Sequence, residues 1–584
     1  MDRHGVALSA RPDARAPVAL PGPGGDGDGR SSPRPRLGRA LTTALLVIVP
    51  LGFLGVFFAY PVGTILDRGL RPGGRLDLEP LRSVATDGAL RHVAWFTLWQ
   101  AAASTALTLL LALPGAYVLS RYQFRGRRLV WAAITVPFVL PTVVVASAFL
   151  SLLGPNGRLG SLGLLGTVWP ILIAHAFFNY AVVVRTVGGL WSHLDPRTAE
   201  AARMLGAGRW RAFRAVTLPA LRPAIAAASA IVFLFTFTSF GVILILGGAH
   251  YSTLEVEIYR QTAELLNLPT AAALSIVQLV AVVAVLVVSG QAQRRRANAL
   301  RLRAQAEILR PVRGAGARLG LALNGLVMAI LLGLPVALLI ERSFDTGHGY
   351  GLAFYRALAH APGNSTFFVP PLEAVRNSLV FAVAATAISL VVGGATAFLI
   401  ARRPVRSRAR RFTRLVDTLV LLPLGTSAVI VGFGFLITLD HPPVDLRTSP
   451  ALIPIAHALV ATPFVVWSMV PLLRSIDPRL REIAAVLGAP PSRVWREVDL
   501  PIVARAVLIA AAFAFAVSLG EFGATVFIAR PDYPTLPIVI YRLLGKPGVL
   551  NFGQAMAASV ILMLVTGGAV LLIERFRAGS VGEF

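Results

Sequence analysis

The 584-residue chain has no cysteine, a single lysine (Lys546) and few charged residues, 14% in all. The missing thiols exclude disulfides, cysteine-ligated metal and thiol chemistry. The shortage of charge excludes an ordinary soluble protein, in which about a quarter of residues are charged. Acidic residues are scarcer than basic ones, 28 against 55, and the net charge is +27. In a soluble protein that excess would point to nucleic acid. Here the arginines stand in short loops between apolar blocks, as membrane topology requires, so no nucleic-acid partner is expected. The sequence also lacks the Gly-x4-Gly-Lys-Ser/Thr phosphate cradle. It shows no catalytic constellation and no Cys/His or carboxylate cluster with metal-ligand spacing. We therefore expect no catalytic residue, no metal site and no cofactor in this chain.

What the chain has in excess is apolar residues, 55% of the total, with a mean hydropathy of +0.70. They form blocks and not amphipathic stripes. We read twelve spans: 41–61, 94–118, 129–153, 165–190, 223–246, 271–289, 319–340, 377–400, 415–438, 450–473, 503–528 and 555–573. Each is near the ~20 residues that cross ~30 Å of hydrocarbon. They must be helices, because backbone polar groups find no partner in lipid. The expected fold is an all-α integral membrane protein. Residues 1–38 are rich in Arg, Pro, Gly and Asp without an apolar period, which predicts a disordered basic tail. The block after it reads as an uncleaved anchor. Arginine-rich loops alternate with mixed or acidic ones: 121–128, 192–222, 293–318, 402–414 and 474–496 are basic, whereas 250–268 and 440–449 are not. The positive-inside rule then puts both termini in the cytoplasm of a multi-pass cell-membrane protein.

The two halves repeat each other without a gap. HLDPRTAEAARMLGAGRWRAFRAVTLPALRPA at 193–224 matches SIDPRLREIAAVLGAPPSRVWREVDLPIVARA at 475–506. The register runs upstream to His175 and His457, and downstream through Phe240 and Phe522 to Tyr259-Arg260 and Tyr541-Arg542. Six helices per half is an even number, so the repeats are parallel and a pathway is expected between them. The organisation expected is a tail at 1–38, a first repeat at 39–292 with its loop at 195–219, a basic linker at 293–318, and a second repeat at 319–578 with its loop at 477–501.

Within each loop, Asp195 and Asp477 precede proline, as N-cap then first helical residue. A short helix follows and stops at Gly206 or Gly488, because glycine can take positive φ. A second basic helix, 209–216 or 493–498, leads to Leu-Pro and the next span. The result is a helix–turn–helix with a small alanine face suited to a docking partner. Mere punctuation between spans would not need the same Glu-to-Gly-to-Pro spacing twice.

That spacing resembles the EAA loop of binding-protein-dependent ABC importer permeases: Glu-Ala-Ala-x3-Gly-x9-hydrophobic-x-Leu-Pro. The first copy is Glu200-Ala201-Ala202, Gly206, Val216, Leu218, Pro219. The second is Glu482-Ile483-Ala484, Gly488, Val498, Leu500, Pro501, with Ile483 departing from the usual alanine. Two copies in one chain look like the fused permeases of the ferric-iron and thiamine importers, over roughly residues 40–575. The resemblance implies the type I ABC importer permease fold and an alternating-access cycle. It implies an ATP-binding-cassette ATPase dimer, carrying ATP and Mg, docked on the two loops. It also implies an extracytoplasmic solute-binding protein. A gradient-driven secondary transporter is the alternative class, and molybdate or sulfate the alternative cargo.

Polar residues at membrane depth are pathway candidates. Thr236, Thr238, Ser239, Ser518 and Glu521 could line a slot between the halves, flanked by Phe240, Gly241, Phe522 and Gly523. A single acid, Glu521, would suit a cationic or metal-bearing solute; tying down a neighbouring helix is its equal alternative. His175 and His457 match in the repeat and read as packing residues. Asn179, Tyr180 and Gln278 are weaker pathway residues.

Overall fold

A computed structural model describes residues 34–578, apart from 156, 249, 296–308, 361–368, 402–415, 417–418, 421, 424–425 and 442–443. The tail at 1–33, most of the linker at 293–318, the loop at 402–414 and part of the expected span 415–438 therefore lie outside the described residues. Residues 34–45, the start of the first helix, belong to a short N-terminal unit, Met1–Leu45; all that follows lies in a second unit, Leu46–Phe584.

Ten described helices are long and apolar enough to cross a membrane. They are Ala44–Leu70, Gly88–Arg121, Trp169–Trp191, Arg209–Phe237, Leu268–Gln291, Ala315–Phe344, Glu373–Ala401, Leu452–Arg474, Ser492–Gly520 and Val549–Ala569. Their outward faces carry bare apolar side chains such as Leu110, Val383 and Leu564, the surface that hydrocarbon requires. Among the described residues, the order of elements in the first half recurs in the second: two long helices, a third element ending in a short helix, a fourth helix, a loop, a fifth helix followed by short helices, and a sixth. Beyond helices there are two small strand pairs, Tyr122–Gln123 with Arg310–Pro311 and Asp440–His441 with Val444–Asp445.

The boundaries differ from expectation in four places. The span expected at 129–153 is a pair, Arg127–Val139 and Thr142–Leu153, bent by 102°. The helical region is disfavoured for the residue before a proline, and Leu140, ahead of Pro141, is extended. In its counterpart at 415–438, Ala428–Thr438 is a described helix too short to span. The span expected at 223–246 runs instead from Arg209 to Phe237, and the one at 503–528 from Ser492 to Gly520. Thus the second helix of each loop is no separate surface element but the first turns of the following span. The joint is a widened turn, Phe213–Thr217 or Trp495–Asp499, two residues before Pro219 or Pro501. The same turn precedes Pro61 and Pro335. A proline ring crowds the carbonyl four residues back, and one extra residue in the turn moves that carbonyl aside while the helix continues.

The first span of each half reaches across to the other. Tyr60–Leu70 packs on Ala428–Thr438, and Arg68 donates to the Ile437 carbonyl at 3.4 Å. Leu334–Phe344 packs on Thr142–Leu153 and on Val549–Ala578. A β-carbon on Gly432 would lie 2.6 Å from the Ala524 carbonyl oxygen, so glycine there permits the close approach of two backbones.

Candidate functional site

The paired loops are built alike. Asp195 accepts a hydrogen bond from Arg197 N at 3.0 Å, and Asp477 from Arg479 N at 2.9 Å; both carboxylates start a short helix, Arg197–Met204 or Pro478–Val486. Gly206 and Gly488 end them at φ +88° and +78°. The next residue closes the turn: Ala207 N donates to Ala202 O at 3.1 Å, and Ala489 N to Ala484 O at 3.0 Å. An L side chain at either glycine would be strained although nothing crowds it, because the strain lies in the backbone.

Glu200, Ala201, Gly206, Glu482, Ile483 and Gly488 are exposed, and Ala202 and Ala484 half-buried. Leu218 is half-buried and Pro219, Leu500 and Pro501 exposed, at the base of the next span. Met204 and Leu205 are 89% and 90% exposed, and their repeat mates Val486 and Leu487 are 87% and 80% exposed. Two apolar side chains thus stand bare at the tip of each loop, beside the glycine. Sequence reasoning concentrated on the alanine face and missed them; their signal was a hydrophobic pair at one position in both copies. The copies also differ. Arg310, in the segment between the halves, pairs with Glu200, while Arg481 in the second loop pairs with the buried Asp499 at 2.8 Å.

At the other end of the helices Arg209–Phe237 and Ser492–Gly520 the halves meet. A helix of 29 residues rises about 43 Å, so this meeting point lies a full membrane thickness from the loops. Phe240 and Phe522, repeat mates, stack with ring centroids 5.5 Å apart. Tyr259 stands edge-on to Phe240 at 5.7 Å, and its mate Tyr541 packs on Phe522 at 5.4 Å. Four aromatic rings, two from each half, close the space between the halves here.

The expected pathway residues lie in and below this seal. His175 bridges Ser104 and Ser239, at 2.9 Å from each. His457 bridges Ser518 and Thr525, at 2.8 Å from each. Thr236 is buried with its hydroxyl on Val232 O at 2.9 Å, and its carbonyl accepts from Gln100 at 2.8 Å. Thr238 donates to Leu234 O at 2.9 Å. Glu521 is buried and turned back on its own chain: its carboxylate accepts from Ala524 N at 2.8 Å, from Thr525 N at 3.1 Å and from the Thr525 hydroxyl, with His457 Nε2 3.4 Å away. These polar groups terminate one helix and start the next, which is why the apolar runs break at Phe237 and Gly520. They are brought together within each half and spend their hydrogen bonds locally.

Sequence reasoning also missed Glu255. It sits on Leu254–Tyr259, completely buried, and joins the halves: Ser427 donates to one oxygen at 2.8 Å and Gln278 donates to the other. The signal was an acid without counterpart, since the repeat mate of Glu255 is Pro537.

Duplicated loops with exposed apolar tips are thus linked by long helices to a cluster of aromatic rings between the two halves. Residues 104–297 match the family described as binding-protein-dependent transport system inner membrane component. The chain as a whole is similar to the thiamine transport system permease protein ThiP of Brucella abortus (strain 2308), 28% identical over 85% of this chain and 90% of that one. It is 27% identical to ThiP of Escherichia coli (strain K12), over 85% of this chain and 91% of that one. It is 25% identical to the probable ABC transporter permease protein y4fN of Sinorhizobium fredii (strain NBRC 101917 / NGR234), over 94% of this chain and 98% of that one. Its similarity to these transport permeases runs through both halves of the chain.

Proposed function

We propose that this chain is the gate of an ATP-driven importer that passes thiamine or a related cation from an extracytoplasmic solute-binding protein into the cytoplasm. The observation that carries the coupling role is the matched pair of loops, each ending at a positive-φ glycine beside two bare apolar side chains. An exposed apolar tip is unfavourable in water and calls for a covering partner. A dimer of ATPase subunits, which would supply the ATP and Mg site, fits a surface that occurs twice. Arginine placement puts the loops on the cytoplasmic side. The names of the similar proteins support thiamine over ferric iron, molybdate or sulfate. Closure of the ATPase dimer draws the loops together and parts the aromatic seal outside; hydrolysis restores it.

The test is uptake by proteoliposomes holding the permease, its ATPase and its binding protein. The double variant Glu200→Ala, Glu482→Ala is expected to insert and fold but to abolish ATP-driven thiamine uptake. Normal uptake by that variant, or uptake that follows a proton gradient and ignores ATP, overturns the reading.

A further inference from the structure

Four acidic side chains are buried among the described residues: Glu255, Glu257, Asp499 and Glu521. Three are held by a cation or by backbone N–H groups. Asp499 is paired with Arg481. Glu257 has Arg260 at 4.0 Å and accepts from Gln261 at 2.8 Å. Glu521 caps a helix start with two backbone N–H groups. Glu255 has neither a cation nor a backbone donor, only the neutral Ser427 and Gln278. A buried carboxylate held by neutral donors alone is costly, and such groups mark ion and substrate pathways. Beside it the Gln278 carbonyl oxygen is buried and has no hydrogen-bond partner, a second acceptor left open at the same point.

The surroundings suit a cation. Tyr259 lies one helical turn beyond Glu255, on the same face, with its ring against Phe240 at 5.7 Å and Phe527 at 5.6 Å. Aromatic faces attract cations, so carboxylate and rings together form a seat for positive charge. The seat is shut by the bond from Ser427, which belongs to the other half. Separation of the halves at this level breaks that bond and uncovers the carboxylate. The matching position of the second half is Pro537, so the seat is single.

We propose that Glu255 is the cargo-facing anion of the pathway, masked by Ser427 while the seal is closed and presented to a cationic solute when the halves part. This rests on the importer reading above and names the chemistry of its cargo. Glu255→Gln is the decisive variant. The amide keeps the shape, accepts from Ser427 and can donate to the open oxygen of Gln278. It should fold and assemble with its ATPase, with a melting temperature equal to or above that of the wild type. Thiamine uptake by the complete complex in proteoliposomes should nonetheless fall roughly tenfold or more, the consequence of losing one charge-assisted contact. A smaller loss overturns the proposal, as does a variant that loses uptake only because it melts lower than the wild type. Wild-type complex that moves no thiamine refutes the thiamine assignment instead. The same pair of proteins is then compared with ferric ion: an equal loss in the variant supports the proposal, while equal rates, or transport of molybdate or of neither cation, overturn it.

Discussion

Glu521 and Glu255 show how two buried acids in one chain come to different ends. Both stand where a membrane protein would keep a functional charge, and Glu521 is the one conspicuous in sequence because it interrupts an otherwise apolar run. Its carboxylate is consumed by three donors within four residues, so it organises the restart of the chain after Gly520. Glu521→Gln turns an amide NH2 toward those donors. Leaving one buried donor unsatisfied costs about 1–3 kcal/mol. We expect that variant to melt lower in detergent while the folded fraction still transports. Unchanged thermal stability together with lost uptake would move Glu521 into the pathway. Glu255 was easy to overlook because it lies in TLEVEIYR, beside a second acid, in a segment that reads as an outer loop. Only the fold brings Ser427 to it from the other half.

At the scale of elements, the helix–turn–helix of each loop was legible down to its capping aspartate, its glycine and its second basic helix. The capping residues act locally, through bonds to backbone two or five positions away, so the sequence carries them whole. The continuation of that second helix into the next span was not legible. Leu-Pro normally signals a new start, yet the widened turns at 213–217 and 495–499 let each helix run past its proline. The loop and the 29-residue span therefore move as one lever. Proline costs a helix interior about 3 kcal/mol relative to alanine. Pro219→Ala with Pro501→Ala is expected to stabilise the protein while relaxing the widened turns, which rotates each loop helix against its span. The expected outcome is unchanged ATPase binding but more ATP hydrolysed per thiamine imported; a preserved ratio would show that the turn has no part in coupling.

At the scale of the whole molecule, the levers converge on the ring cluster formed by Phe240, Phe522, Tyr259 and Tyr541. Each aromatic contact adds about 0.5–1.5 kcal/mol beyond simple burial, enough to bias the closed state without locking it. Phe240→Ala with Phe522→Ala removes the central stack. It should raise ATP hydrolysis in the absence of solute, measured in proteoliposomes, because closure at the loops no longer has to part the seal. Basal hydrolysis equal to that of the wild type would separate the seal from the drive. The crossing of each first span onto the opposite half belongs to this scale too: Tyr60–Leu70 packs on Ala428–Thr438, and Leu334–Phe344 on Thr142–Leu153.

The sequence by itself determined that the chain spans a membrane repeatedly, that it is two copies of one unit, and that each copy ends a surface helix at a glycine. Hydrophobic run length, arginine placement and capping are properties of neighbouring residues, and they survive any arrangement of the helices. The tertiary structure alone decided which polar groups are spent on their own helices and which join the two halves. A hydrogen bond between Glu255 and Ser427 depends on bringing distant segments within 3 Å. That approach is set by packing between the halves, through glycines and aromatic rings whose partners no local pattern names.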